Sequence, residues 1–300
     1  MKDRKQTMAS LGSRAGLGAL WLFHWLPLGM QAFFGCMLGK LLYRVARSRR
    51  RVALRNLQLC FPDLAPSERE QLARRHFEWM ARSLLERGLL WYGAERRLKR
   101  LVHVEGDIGF AASTDRPVMW LVPHFVGLEL AGTASAQQPR RVISMYQRQS
   151  NAVFDEALKK GRLRWDNGDL LPRHHNAMPL VKAIKRGKVF LNLPDMDFGS
   201  RDSAFVPFFG VPAATLLAPS RLAKSLGMAV QPVLTEILPG GRGYRVRYLP
   251  PWDDFPTDDA EADALRMNRW IEGAIQANPA QYLWVHKRFK TRPPGEASFY

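Results

Sequence analysis

Three hundred residues with a hydrophobic fraction of 46% allow one large domain or two small ones, with ample material for a buried core. Lys and Arg number 45 against 27 Asp and Glu, a formal charge of +18, which calls for an acidic partner. No zinc-finger spacing or ribonucleoprotein aromatic motif is present, so nucleic acid is not expected; an anionic membrane surface, a phosphorylated substrate or an acidic protein fits better. The two cysteines, Cys36 and Cys60, exclude a disulfide framework and suit a reducing compartment.

From Ala15 to Gly39 the chain carries no Lys, Arg, Asp or Glu and holds Trp21, Phe23, Trp25, Phe33 and Phe34. The stretch is long enough to cross the hydrocarbon core, although His24, Pro27 and Gln31 interrupt it. Lys2, Arg4 and Lys5 give it a basic start like that of a signal peptide, but no small-x-small cleavage site closes it before Lys40. A buried or interfacial helix is the remaining alternative. Lys40, Arg44, Arg47, Arg49, Arg50, Arg51 and Arg55 follow, which orients the downstream chain to the cytoplasm and draws it to anionic headgroups. Residues 1–50 are therefore expected to form a membrane anchor with a basic flank, and residues 51–300 a single α/β domain.

The spacing of Leu72, Phe77, Met80, Leu84 and Leu85 predicts a helix over 67–91, with Ser67 as cap and Glu70 three residues on. The α/β part begins near Leu101. Strands are predicted at 118–122, 141–145, 189–193, 229–238 and 244–249, and helices at 127–136, 151–164, 177–186, 219–226 and 260–277. The alternation implies an α/β fold, a mixed and mostly parallel sheet flanked by helices, preceded by the N-terminal membrane-associated helix.

The candidate chemistry starts at His124-Phe125-Val126-Gly127-Leu128-Glu129, just after the first buried strand. Five helical steps rotate a side chain by roughly 140°, so the pair meets only if His124 sits in the turn and Glu129 in the first helical turn. A carboxylate bonded to one ring nitrogen leaves the other free as a base that can deprotonate a hydroxyl attacking an acyl group. Read alone, the motif also fits a polar turn; its place at a strand's carboxyl end favours a site. Met145 to Asn151 follows the next strand, and Arg162 and Arg164 follow the next helix, where guanidinium groups suit phosphate. Asp195 and Asp197 form an Asp-x-Asp of a kind also used to hold a metal beside a nucleotide sugar. Phe205-Val206-Pro207-Phe208-Phe209-Gly210 reads as a proline-punctuated aromatic loop, fit to line an acyl groove with Phe205, Phe208 and Phe209 or to pack in the core. There is no Gly-x-Ser-x-Gly elbow, Walker loop or dinucleotide fingerprint, and His174, His175 and His286 lack metal-ligand spacing and read as structural or surface residues.

Asn56-Leu57 with Cys60-Phe61-Pro62, the His124/Glu129 block, Met145-Tyr146 with Asn151, Gly161 to Arg164, Asp195 to Gly199 running on to Gly210, and Trp284 to Pro293 occur in that order. The chain from about Leu17 to Tyr300 resembles the late, lauroyl/myristoyl acyltransferases of lipid A biosynthesis, a group similar to lysophospholipid acyltransferases. The resemblance implies an enzyme on the cytoplasmic face of the bacterial inner membrane. It would move a fatty acyl group from acyl carrier protein to the hydroxyl of a 3-hydroxyacyl chain on a lipid A precursor, with no metal and no other cofactor. It puts catalysis on His124 and Glu129 and substrate binding on Arg164 and Asp197, with Asn151 and Arg162 beside them. Backbone amides after His124, with an arginine, would stabilise the oxyanion. Two alternatives stand beside it: another acceptor lipid, such as an ornithine lipid or phosphoinositide mannoside, and a non-catalytic membrane-binding relative.

Overall fold

In the computed structural model, residues 2–136, 139–173 and 177–300 are described. His174 and His175 lie outside them. The apolar stretch that opens the chain is two helices, α1 (Lys2–Phe23) and α2 (Leu28–Val45), and not one. Pro27 ends the first run, and the carbonyls freed at the break are collected: His24 and Leu26 both accept from the Arg97 guanidinium and the Gln31 amide. Among the described residues no helix is long and apolar enough to cross a membrane. Helix α3 (Arg47–Cys60) follows, and then α4 (Pro66–Tyr92). The cap of α4 differs from expectation: Pro66 takes the first position and Glu68 reaches back to the Ala65 N–H at 2.7 Å. Leu28, Leu57, Phe77 and Leu89 are all buried, so α2 and α3 seat on α4 through apolar faces.

Helix α5 (Glu95–Leu101) leads into β1 (Val102–Gly106), the short α6 (Phe110–Ser113) and β2 (Val118–Leu121). The next units are α7 (Glu129–Ser135), β3 (Val142–Tyr146), α8 (Ala152–Leu163), β4 (Gly168–Pro172), α9 (Met178–Lys185) and β5 (Val189–Asn192). A hairpin, β6 (Ser203–Phe208) and β7 (Val211–Leu216), precedes α10 (Ala218–Leu226), β8 (Ala229–Ile237), β9 (Tyr244–Tyr248) and α11 (Ala260–Ala277). The main sheet has seven strands in the order β1-β9-β8-β2-β5-β3-β4. Every neighbouring pair is parallel except β8 with β9. This is the mixed, mostly parallel sheet that the alternation implies, with buried strands such as Val118 to Leu121 at its centre.

The aromatic loop is a strand pair. Pro207 faces Pro212 in register, next to the closing pair Phe208 and Val211. In a two-residue hairpin that position lies between ladder hydrogen bonds, so two prolines are tolerated there. Phe209 (φ 50°) and Gly210 (φ 75°) form the turn, both left-handed as a type I′ turn requires.

Candidate active site

Parallel pairing of β2 with β5 sets Leu121 opposite Asn192. His124 and Asp195 each lie three residues beyond that pair, so both loops leave the same edge of the sheet side by side. Asp195 Oδ1 accepts from His124 Nδ1 at 2.6 Å, and Oδ2 accepts the His124 backbone N–H at 2.8 Å. Asp195 is buried, whereas the His124 side chain keeps 13% of its surface open. Burial opposes charge on Asp195, but the attraction and hydrogen bonds of His124, with help from Arg288, hold the carboxyl below its usual range. A carboxylate at Nδ1 puts the ring proton there and leaves the Nε2 lone pair for a substrate proton.

Glu129 is not the residue that holds His124. As the first residue of α7, it points its carboxylate to the end of α8 and to α4. Arg162 donates to both its oxygens, at 2.5 and 3.0 Å, and Arg87 lies 3.9 Å away. Burial works against the charge of Glu129, yet the two guanidinium groups outweigh it and bring the carboxyl down to about 2. The expected meeting of His124 and Glu129 fails because the first turn of α7 aims away from the loop, while the neighbouring strand end supplies a carboxylate at contact distance.

Arg162 is thus the partner of Glu129. Arg164 lies elsewhere: it donates to Leu90 O at 2.9 Å and Gly93 O at 2.7 Å, closing the carboxyl end of α4. Asn151 caps α8 by accepting the Phe154 N–H, and its amide donates to Ser13 of α1. Asp197 is occupied by the protein: it accepts from the Thr291 N–H (2.6 Å), the Thr291 hydroxyl (2.7 Å) and the Gly199 N–H (3.0 Å). The carboxylates of Asp195 and Asp197 therefore serve two different loops and do not face one common ion. Phe208 is fully buried among Phe209, Tyr282 and Phe289, with the Arg288 guanidinium over its ring. Phe209 is half-buried on Phe61 and Phe205 half-buried on the hairpin. As a groove wall Phe208 is ruled out, since its ring exposes no surface.

The C-terminal segment closes the site from behind, which no spacing in the sequence announces. Leu283 N–H donates to His124 O, and the Val126 N–H donates to Gln281 O. The Tyr282 hydroxyl is raised well above its usual range by burial, with the Asp195 charge adding to it. His286 accepts the Asp197 N–H at 3.2 Å through Nε2; burial first, then the charge of His124, lowers it to about 4 and keeps it neutral. The only advance signal is the run Trp284 to Pro293. The amides of Phe125, Val126 and Leu128 all bond to carbonyls of the protein, so these three are not free for an oxyanion.

The family described as bacterial lipid A biosynthesis acyltransferase matches residues 2–291. A lipid A biosynthesis lauroyltransferase of Escherichia coli K12 is 38% identical over 289 residues, 95% of this chain and 93% of the relative. A palmitoleoyltransferase of the same pathway and organism is 35% identical over the same shares. A myristoyltransferase is 32% identical over 267 residues, 88% of this chain and 82% of the relative. With a match from the first helix to the C-terminal strap that backs His124, the chain belongs to the bacterial lipid A biosynthesis acyltransferases.

Proposed function

We propose that this acyltransferase of lipid A biosynthesis moves a fatty acyl group from a thioester on acyl carrier protein to the hydroxyl of a 3-hydroxyacyl chain on a lipid A precursor. The observation that carries the chemistry is His124 fixed at Nδ1 by buried Asp195, with Nε2 making no hydrogen bond to a described residue. Nε2 takes the hydroxyl proton as the oxygen attacks the thioester carbonyl. The imidazolium that forms is stabilised by Asp195. Collapse of the tetrahedral intermediate breaks the C–S bond, and the thiolate leaves with the proton from His124. The donor arrives activated as a thioester, so the reaction calls for no metal and no further cofactor.

The reading extends to the membrane. Leu11, Trp21, Leu22, Met30, Phe33, Phe34, Met37, Leu41 and Val45 on α1 and α2, and Trp25 in the turn between them, are exposed next to exposed Arg44, Arg47, Arg49 and Arg51. Apolar side chains beside arginines suit an interfacial hairpin on the anionic cytoplasmic face of the inner membrane, lying on it without crossing. The acidic carrier protein and the phosphorylated acceptor fit the +18 surface. The test is acyl transfer by purified wild-type and His124→Ala protein, with mass spectrometry of lipid A from cells with and without the chain. A missing acyl group in the deletion and an inactive variant are expected. Unchanged lipid A, or a fully active His124→Ala protein, overturns the reading.

A further inference from the structure

Attack on a thioester turns its carbonyl oxygen into an oxyanion, and several groups near His124 that could meet it are already engaged. The amides of Phe125, Val126 and Leu128 donate to carbonyls of the protein. Arg162 is bound to both oxygens of Glu129, and Arg288 donates to Ala214 O at 2.8 Å and to Thr215 Oγ1 at 2.9 Å. The imidazole of His286 is free on one side. Its backbone N–H donates to Leu283 O, and the Leu283 N–H donates to His124 O, so two bonds join the two histidines through one turn of the strap. The ring is tied as well: Nε2 accepts the Asp197 N–H at 3.2 Å, two residues past the Asp195 that holds His124. Both imidazoles thus hang from the stretch Asp195 to Asp197, one from a side chain and the other from a backbone amide.

The tie decides where the ring proton is. A backbone N–H at Nε2 makes that nitrogen the acceptor, so the proton sits on Nδ1. Nδ1 makes no hydrogen bond to a described residue and is not buried, so its N–H opens to solvent on a half-buried ring. Burial first, and then the charge of His124, keeps His286 neutral. Neutrality suits a donor at this place. A neutral imidazole N–H can polarise a carbonyl oxygen, and it does not repel the imidazolium that forms on His124.

We propose that His286 is a further catalytic residue, its Nδ1–H donating to the thioester oxygen as that oxygen takes up negative charge. The assignment rests on the acyl-transfer reading above. His124 Nε2 takes the proton of the acceptor hydroxyl, the hydroxyl oxygen bonds to the carbonyl carbon, and the carbonyl electron pair moves onto the oxygen held by His286. When the C–S bond breaks, that pair re-forms the carbonyl and the thiolate leaves with the proton from His124. His286 keeps its own proton throughout. Two substitutions separate this role from the tie to Asp197. The amide of Asn reaches the place of Nδ1, so His286→Asn keeps a donor and gives up the tie. The amide of Gln reaches the place of Nε2, so His286→Gln keeps an acceptor for the Asp197 N–H and gives up the donor. Loss of an oxyanion donor should lower kcat in His286→Gln by roughly a hundredfold to a thousandfold with little change in KM, and His286→Asn should retain at least about tenfold more. The measurement is steady-state transfer from the lauroyl thioester of acyl carrier protein, with thermal unfolding to give the folded fraction and His124→Ala assayed beside it. Near-normal kcat in His286→Gln, or turnover by His286→Gln equal to or above that of His286→Asn, overturns the catalytic role; an inactive His124→Ala in the same assay leaves the acyl-transfer reading standing. A wild type that transfers nothing, or a fully active His124→Ala, overturns that reading and this one with it.

Discussion

Asp195 holds His124 twice, at Nδ1 with one oxygen and at the backbone N–H with the other, so one carboxylate fixes both the tautomer and the loop. Asp195→Asn offers an amide N–H where the structure needs an acceptor and turns the ring toward the wrong tautomer. Its kcat should fall by roughly a hundredfold to ten-thousandfold with little change in KM, close to the effect of His124→Ala. The double variant should be no worse than either single one, because the two residues act as a unit. Steady-state kinetics decide it: near-normal turnover by Asp195→Asn would remove the carboxylate from the mechanism.

Glu129 predicts a pH dependence of stability. Its carboxyl is lowered to about 2 by Arg162 and Arg87 against the effect of burial, below the ordinary 4.5. A lowered carboxyl contributes stability that is fully present above the unfolded value and lost as pH falls toward the folded one. The window is therefore pH ~5 to ~2, and the contribution is about 3 kcal/mol. Urea unfolding across that window should show the loss in wild type. Glu129→Gln should be less stable at neutral pH and lose less across the window than wild type, the slope that remains belonging to Asp195 and the other lowered carboxyls. An equal slope in the two proteins would refute the ion pair as its source.

The order of strands and helices is legible in the sequence because buried parallel strands are continuous apolar runs, such as Val118 to Leu121, and the helices between them are amphipathic. The edge strand β4 is not: Gly168-Asp169-Leu170-Leu171-Pro172 is half-exposed along its length and has neither alternation nor an apolar run. The prolines of β6 and β7 disguise a hairpin as a loop, since nothing local shows that Pro207 and Pro212 face each other. The site is half legible for the same reason. His124 stands out at a strand end, but its partner depends on which strand lies beside β2, a non-local fact, and the nearer carboxylate in sequence belongs to Arg162. Arg164 and Asp197 carry the right chemistry two residues from Arg162 and Asp195, and only the packing tells the members of each pair apart.

Arg164 and Phe208 should prove to be residues of stability. Removing the guanidinium of Arg164 leaves the carbonyls of Leu90 and Gly93 at the end of α4 without their donor, a loss of about 1–3 kcal/mol. Phe208→Ala empties a fully buried aromatic site and should cost about 3–5 kcal/mol. In both variants the folded fraction should keep its turnover and its preference among acyl donors. Denaturant titration beside kinetics separates the effects; a changed chain-length preference in Phe208→Ala would return the hairpin to the acyl site.

The exposed face of α1 and α2 gives the last prediction. Trp25 and Phe33 are 67% and 63% exposed, and their ring contacts are with Trp21, His24 and Phe34 in the same helical pair and its turn. Replacing both by Glu removes apolar contact with lipid and adds two negative charges near an anionic surface, while leaving the seat of α2 on α4 untouched. Each large side chain withdrawn from the interface is worth roughly 1.5–3 kcal/mol by burial, so the partition onto vesicles should fall by at least tenfold. Replacing Arg44, Arg47 and Arg51 by Gln should weaken binding too, but only at low salt and only on vesicles with anionic lipid, since screening removes that term. Co-sedimentation with zwitterionic and anionic vesicles at two salt concentrations reads both effects. Undiminished binding of the Trp25→Glu, Phe33→Glu protein would place the lipid contact elsewhere on the molecule.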